Sequence, residues 1–262
     1  MRPQDSLLLV AALLIGSVVV IAVGAWSFFL DPTRTFHYLG LGVAIVGILL
    51  FAFGLGWGIP KLLDVCVRQP KRVLAESSFA EANSFDFTLS RSDTRAAHSG
   101  ILFRLGQERV AFEVMRLRGA PFVEWGNYRF STPTNRGKNS TPWAWGYLMI
   151  PVAKKIPNAL LRLKSVKQMN SLSAVELPIA ATSVEPFELR CSPEDRPAID
   201  SLLGGHLLES LARQHFTAEI ADGYLYLYRA ELFALSKPET VASLARLATA
   251  LTERFGTSQC RA

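Results

Sequence analysis

The 262-residue chain is half apolar, and only 19% of it is charged, giving a mean hydropathy of +0.22 and a net charge of +6. That balance points to a chain with a membrane part and an aqueous part. It excludes a disordered chain and a collagen-like fibre, and three Cys in so long a chain exclude a small disulfide scaffold.

Two apolar runs come first. Leu7–Leu30 is 24 residues without a charge and Tyr38–Ile59 is 22, both long enough to cross about 30 Å of hydrocarbon. The link Asp31-Pro-Thr-Arg-Thr-Phe-His37 is too short for anything but antiparallel neighbours, so the pattern predicts a transmembrane hairpin. Trp26, Phe28, Phe29, Phe36 and Tyr38 gather at the loop end and Trp57 at the other, as interfacial belts do. Gly16 and Gly24, in step with Ala12, and the pair Gly54 and Gly58 supply small faces for helix packing. Neither run contains a charge, which argues against an ion path or proton relay within this chain.

The basic residues after the second run, Lys61, Arg68, Lys71 and Arg72, predict both termini and the main domain in the cytoplasm. The first run exceeds the apolar core of an ordinary signal peptide and reads as an uncleaved anchor. Residues 61–78 read as a basic connector in which the second helix continues for a turn or two until Pro70 stops it.

Residues 79–262 read as an α+β domain of mainly antiparallel strands with two helices in its C-terminal half. Expected strands are Phe85–Arg91, Ile101–Leu105, Arg109–Leu117, Phe122–Phe130, Trp143–Pro151 and Ala159–Lys164. Trp143, Trp145, Tyr147 and Met149 share one side of a period-two run. A helix is expected from Ser192 as N-cap and Pro193 as first residue, broken at Gly204-Gly205. Strands Phe216–Ile220 and Tyr224–Arg229 flank the turn Ala221-Asp-Gly223, and a last helix opens at Ser236-Lys-Pro-Glu239.

Charge is segregated. Lys154, Lys155, Arg162, Lys164 and Lys167 form a second basic group without an acid among them, while residues 176–262 are net acidic. With the connector, this group is a candidate contact for anionic lipid or a polyanion. Nucleic acid is disfavoured because no recognised binding signature accompanies it.

No catalytic constellation emerges. His37, His98, His206 and His215 make no metal-binding spacing, and Cys66, Cys191 and Cys260 make no paired motif, so neither metal nor cofactor is expected. Glu113 and Glu124 alternate with apolar residues and read as solvent-facing strand positions. Tyr224, Tyr226 and Tyr228 read as an aromatic ladder on one strand face.

The order of Phe85-Asp-Phe87, Gly100-Ile-Leu-Phe103, Trp125-Gly-Asn-Tyr128, Glu185-Pro-Phe187, the Leu202-Leu203 helix and Tyr224–Tyr228 resembles a loose group of uncharacterised bacterial membrane proteins. These have two N-terminal transmembrane helices and a cytoplasmic β-rich domain of unknown function. The resemblance spans most of residues 80–255 and implies no catalytic residue. The expected role is a membrane-tethered, non-enzymatic module whose partners are the bilayer and a protein or anionic surface. The alternatives are a membrane-bound enzyme whose site is assembled from distant residues, and an accessory subunit of a larger membrane complex.

Overall fold

A computed structural model describes residues 3–30, 34–92, 98–119, 122–133, 140–153, 156–165 and 181–255. The chain divides into two compact units, Met1–Ala75 and Glu76–Ala262.

The first unit is helical. Helix α1 spans Pro3–Leu30 and α2 spans Arg34–Leu63. A Cβ on Gly47 would meet the Ile21 side chain, and one on Gly54 would meet Leu14 at 3.2 Å. As residue numbers rise along α2 they fall along α1, so the two helices pack antiparallel. Within α2, Leu41–Pro60 is 20 residues with a mean hydropathy of 2.2, long and apolar enough to cross a membrane. Ala11–Trp26 of α1 is a shorter apolar stretch among the described residues. Contrary to expectation, Pro70 ends nothing. A π-helical turn, Asp64–Arg68, leads straight into α3, Gln69–Ala82. Gln69 keeps helical dihedrals and its N–H donates to Asp64 O, so the helical run passes through Pro70 without a break.

The second unit is built on one nine-stranded sheet, antiparallel throughout, in the order β1-β2-β3-β4-β9-β8-β5-β7-β6. The strands are β1 Phe85–Arg91, β2 Gln107–Leu117, β3 Glu124–Pro133, β4 Ser140–Pro151, β5 Ala159–Leu163, β6 Ala181–Val184, β7 Phe187–Cys191, β8 Thr217–Ala221 and β9 Tyr224–Arg229. The β8–β9 turn places Asp222 and Gly223 both at positive φ, as a tight hairpin of this hand requires.

Alternation gives the sheet two apolar faces. Trp125, Leu148, Leu161, Leu189, Ile220 and Leu227 point to one face, covered by α4 Arg196–Leu203, α5 Gly205–Arg213 and α6 Pro238–Phe255. The expected helix start at Ser192 is instead a turn, closed by the Asp195 N–H donating to Ser192 O. The helix begins three residues later, with Pro197 in its first turn, and Gly204 divides α4 from α5 as the sequence suggested.

Trp145, Tyr147, Met149, Tyr128, Tyr226 and Tyr228 point to the other face. Among the described residues, no long helix covers it. Residues 98–105 do, as a strap crossing the sheet. The expected strand Ile101–Leu105 is a 3-10 turn, Ile101–Arg104, whose Ile101, Leu102 and Phe103 are all buried. The strap lies so close that a Cβ on Gly100 would overlap the Tyr228 hydroxyl.

Candidate functional site

Under the strap sits a buried carboxylate. Glu124, the first residue of β3, is fully enclosed, and His98 Nε2 lies 2.7 Å from its Oε1. The Tyr147 hydroxyl donates to the same oxygen at 2.8 Å. Arg116, its cross-strand partner on β2, donates to Oε2 through Nε at 3.1 Å and Nη2 at 2.7 Å. Arg91 stands 3.9 Å away. Glu124 is thus a correction to its reading as a solvent-facing position. Its alternation was read properly, but the face it occupies is the one the strap covers.

Burial alone would raise the Glu124 carboxyl, but His98, Arg116 and Tyr147 outweigh it and hold it at about 2. Burial, then the charge of Glu124, pushes the Tyr147 hydroxyl well above its ordinary range. The carboxylate therefore stays ionised and the phenol protonated across physiological pH. Their geometry suits fixing the strap, not moving protons.

A second buried acid pins the same segment. Glu219 on β8 accepts from the Ile101 N–H at 2.8 Å and from the Tyr228 hydroxyl at 2.6 Å, and Ser99 and Tyr226 share a hydrogen bond of 3.1 Å beside it. Burial, only partly offset by those donors, raises the Glu219 carboxyl above its ordinary value.

The third acid, Glu113, was also expected to face water and is buried. Between Phe112 and Met115 the β2–β3 register slips by one residue, and Glu113 has a φ of 51°. This β-bulge reverses the alternation and turns Glu113 inward. There Asn127 Nδ2 donates to Glu113 Oε2 at 2.9 Å and to Phe233 O at 3.0 Å, while the Phe233 N–H donates to Asn127 Oδ1 at 2.7 Å. One amide thereby ties the segment before α6 to β3.

The opposite shifts of the two strap acids have opposite consequences for stability. Glu124 falls from an ordinary 4.5 to about 2 in the fold, which adds roughly 3 kcal/mol above pH 4.5 that is lost as pH drops toward 2. Glu219 is raised, so its contribution is complete below the unfolded value and is lost as pH climbs through the folded one. Denaturant titrations across pH should show both limbs. Glu124→Gln should flatten the acid limb and Glu219→Gln the upper one. Limbs unchanged by either substitution would overturn this assignment.

The residues singled out from the sequence are distributed over both units. Arg68, Lys71 and Arg72 are exposed on the helical run after α2, while the Lys61 side chain lies outside the described residues. Arg162 pairs with Glu188, and Lys164 with Glu185, so two of the second basic group are engaged by acids. Lys154, Lys155 and Lys167 lie outside the described residues. Gly24, Gly54 and Gly58 are buried in the helical unit, whereas Gly16 faces open space. Cys191 is an ordinary buried residue of β7. Tyr226 and Tyr228 form the expected ladder, stacked at 6.0 Å, and are buried. Among the described residues, no group of three or more His, Cys, Asp or Glu is placed to hold a metal ion.

No protein-family model matches the chain, and no curated protein matches it. Among solved structures, the mycobacterial trehalose monomycolate transport factor A, TtfA, is similar with a TM-score of 0.43 and 13% identity, covering 70% of this chain and 96% of that one. So distant a likeness bears on neither partner nor activity. No family model supports the resemblance read from most of residues 80–255.

Proposed function

We propose that the chain is a membrane-tethered, non-enzymatic interaction module. Its helical unit is a two-span hairpin, and its β-rich unit lies in the cytoplasm beside an anionic membrane face. The observation that carries the tether is the outer surface of α2. Leu41, Ile45, Ile48, Leu49, Phe53 and Ile59 are all exposed, Leu49 by 63% and Phe53 by 65%. Packing against α1 covers one side of α2 only. A contiguous apolar surface of that extent is costly in water and ordinary in lipid.

The exposed Arg68, Lys71 and Arg72 follow directly, where each basic residue near an anionic surface contributes roughly 1 kcal/mol. The non-enzymatic part of the reading is supported by the strap acids, whose bonding is spent on the fold.

Alkaline carbonate extraction of membranes from cells expressing the full chain tests the tether, with protease access to inverted and right-side-out vesicles. The chain should stay in the pellet and be cut within the β-rich unit only in inverted vesicles. Release by carbonate would overturn the tether, and cleavage in right-side-out vesicles would overturn the orientation.

A further inference from the structure

Past the end of the strap, the same sheet face opens on a polar cavity of about 120 Å³. Its lining takes Arg104 from the strap, Asn158 from the segment before β5, Arg190 from β7, and Glu219 and Asp222 from β8 and the turn after it. The register fixes how two of these charges stand to each other. Leu160 of β5 pairs with Arg190 on one side and with Glu219 on the other. Residues paired in this way share a face, so Arg190 and Glu219 rise on the same side, two strand spacings or roughly 10 Å apart.

Neither charge is met by the other. Arg190 donates through Nε to Glu188, which also pairs with Arg162, so one carboxylate serves two guanidiniums and a positive charge is left over. The Ile101 N–H and the Tyr228 hydroxyl both donate to Glu219 Oε2, and Oε1 accepts nothing among the described residues. Burial keeps the Glu219 carboxyl above its ordinary value, since Tyr228, Ile101 and the nearby Arg104 offset only part of that cost. A buried carboxylate with an open oxygen and no cation bonded to it is uncommon in folded proteins.

The whole lining carries two guanidinium and two carboxyl groups, so a ligand of either single sign would leave one set unmet. The volume is many times the roughly 10–15 Å³ that one water needs and well under the roughly 300 Å³ of a drug-sized site. We propose that this cavity binds a small α-amino acid as its zwitterion, the ligand's carboxylate on Arg190 and its ammonium on Glu219 Oε1. Both contacts are charge-assisted hydrogen bonds, and each supplies the sign that the protein leaves unpaired. The site is formed wholly within the β-rich unit and does not depend on the tether.

The test measures equilibrium binding of isotope-labelled glycine to the full chain in lipid nanodiscs, with empty nanodiscs as the blank. Binding should saturate at one glycine per chain. Glycolate, which lacks the ammonium, and glycinamide, which lacks the carboxylate, should each compete about tenfold less well, one charge-assisted bond being lost. Arg190→Gln should weaken glycine about tenfold and leave glycinamide unchanged, while Glu219→Gln should weaken glycine about as much and leave glycolate unchanged. The Gln amide oxygen at position 219 still accepts from Ile101 and Tyr228, so the strap keeps both bonds. An unfolded variant would lose all three ligands together, so the crossed pattern cannot arise from instability.

Absence of saturable glycine binding would overturn the site. Glycolate competing as well as glycine would overturn the ammonium contact, and glycinamide doing so would overturn the carboxylate contact. Variants that weaken all three ligands alike would overturn the assignment of Arg190 and Glu219 to opposite ends of the ligand.

Discussion

Glu124→Ala is expected to lower the stability of the β-rich unit by roughly 3–5 kcal/mol, the usual cost of breaking a buried ion pair from one side. The substitution removes the group that His98, Tyr147 and Arg116 all address. His98 and Tyr147 remain enclosed without it, and among the described residues no other acceptor replaces it. Urea unfolding followed by tryptophan fluorescence reads the effect, since Trp125 and Trp145 are buried in the two cores. Glu124→Gln keeps the shape and loses the charge, so it should fall between wild type and Ala. A Glu124→Ala protein within 1 kcal/mol of wild type would overturn the claim that this cluster anchors the strap, because that is below the usual cost of an unpaired buried group.

Phe103→Ala should cost about as much, roughly 3–5 kcal/mol, by a different route. Phe103 is the centre of the ring cluster, with centroids 4.5 Å from His98, 4.9 Å from Tyr128 and 5.0 Å from Tyr147. Its removal opens a cavity between strap and sheet that rigid neighbouring rings cannot close. Since both substitutions free the same segment, the double variant should lose less than the two single losses added together. Full additivity would mean that the charge cluster and the ring cluster hold the strap independently.

Most strands were legible because their faces differ. The period-two run through Trp143–Met149 and the ladder Tyr224–Tyr228 place their rings on the strap side as alternation required. The segment Ile101–Leu105 was not legible. A short continuous apolar run suits a buried strand and a buried turn equally. Glu113 was missed because a bulge changes parity without marking the sequence, and Glu124 because alternation says which face a residue takes, not what covers it. Retrospectively, Gly100 was the available signal, a glycine just before an apolar run where a backbone crosses a sheet closely. Pro70 misled because a π-turn immediately precedes it and the helical run continues through the proline.

The strand order has a consequence for synthesis. Strands β1 to β4 pair with their chain neighbours, but β4 waits for β9, joining Pro151 to Tyr224 across 73 residues. A ribosome adding 5–20 residues per second needs roughly 4–15 s to supply that partner. Throughout that interval the nascent chain displays an open edge twelve residues long, bearing Trp143, Trp145 and Tyr147. An unpaired edge of that kind is a template for pairing with another chain. The centre of the finished sheet is therefore the place where the growing chain is most open to aggregation or to capture by a chaperone.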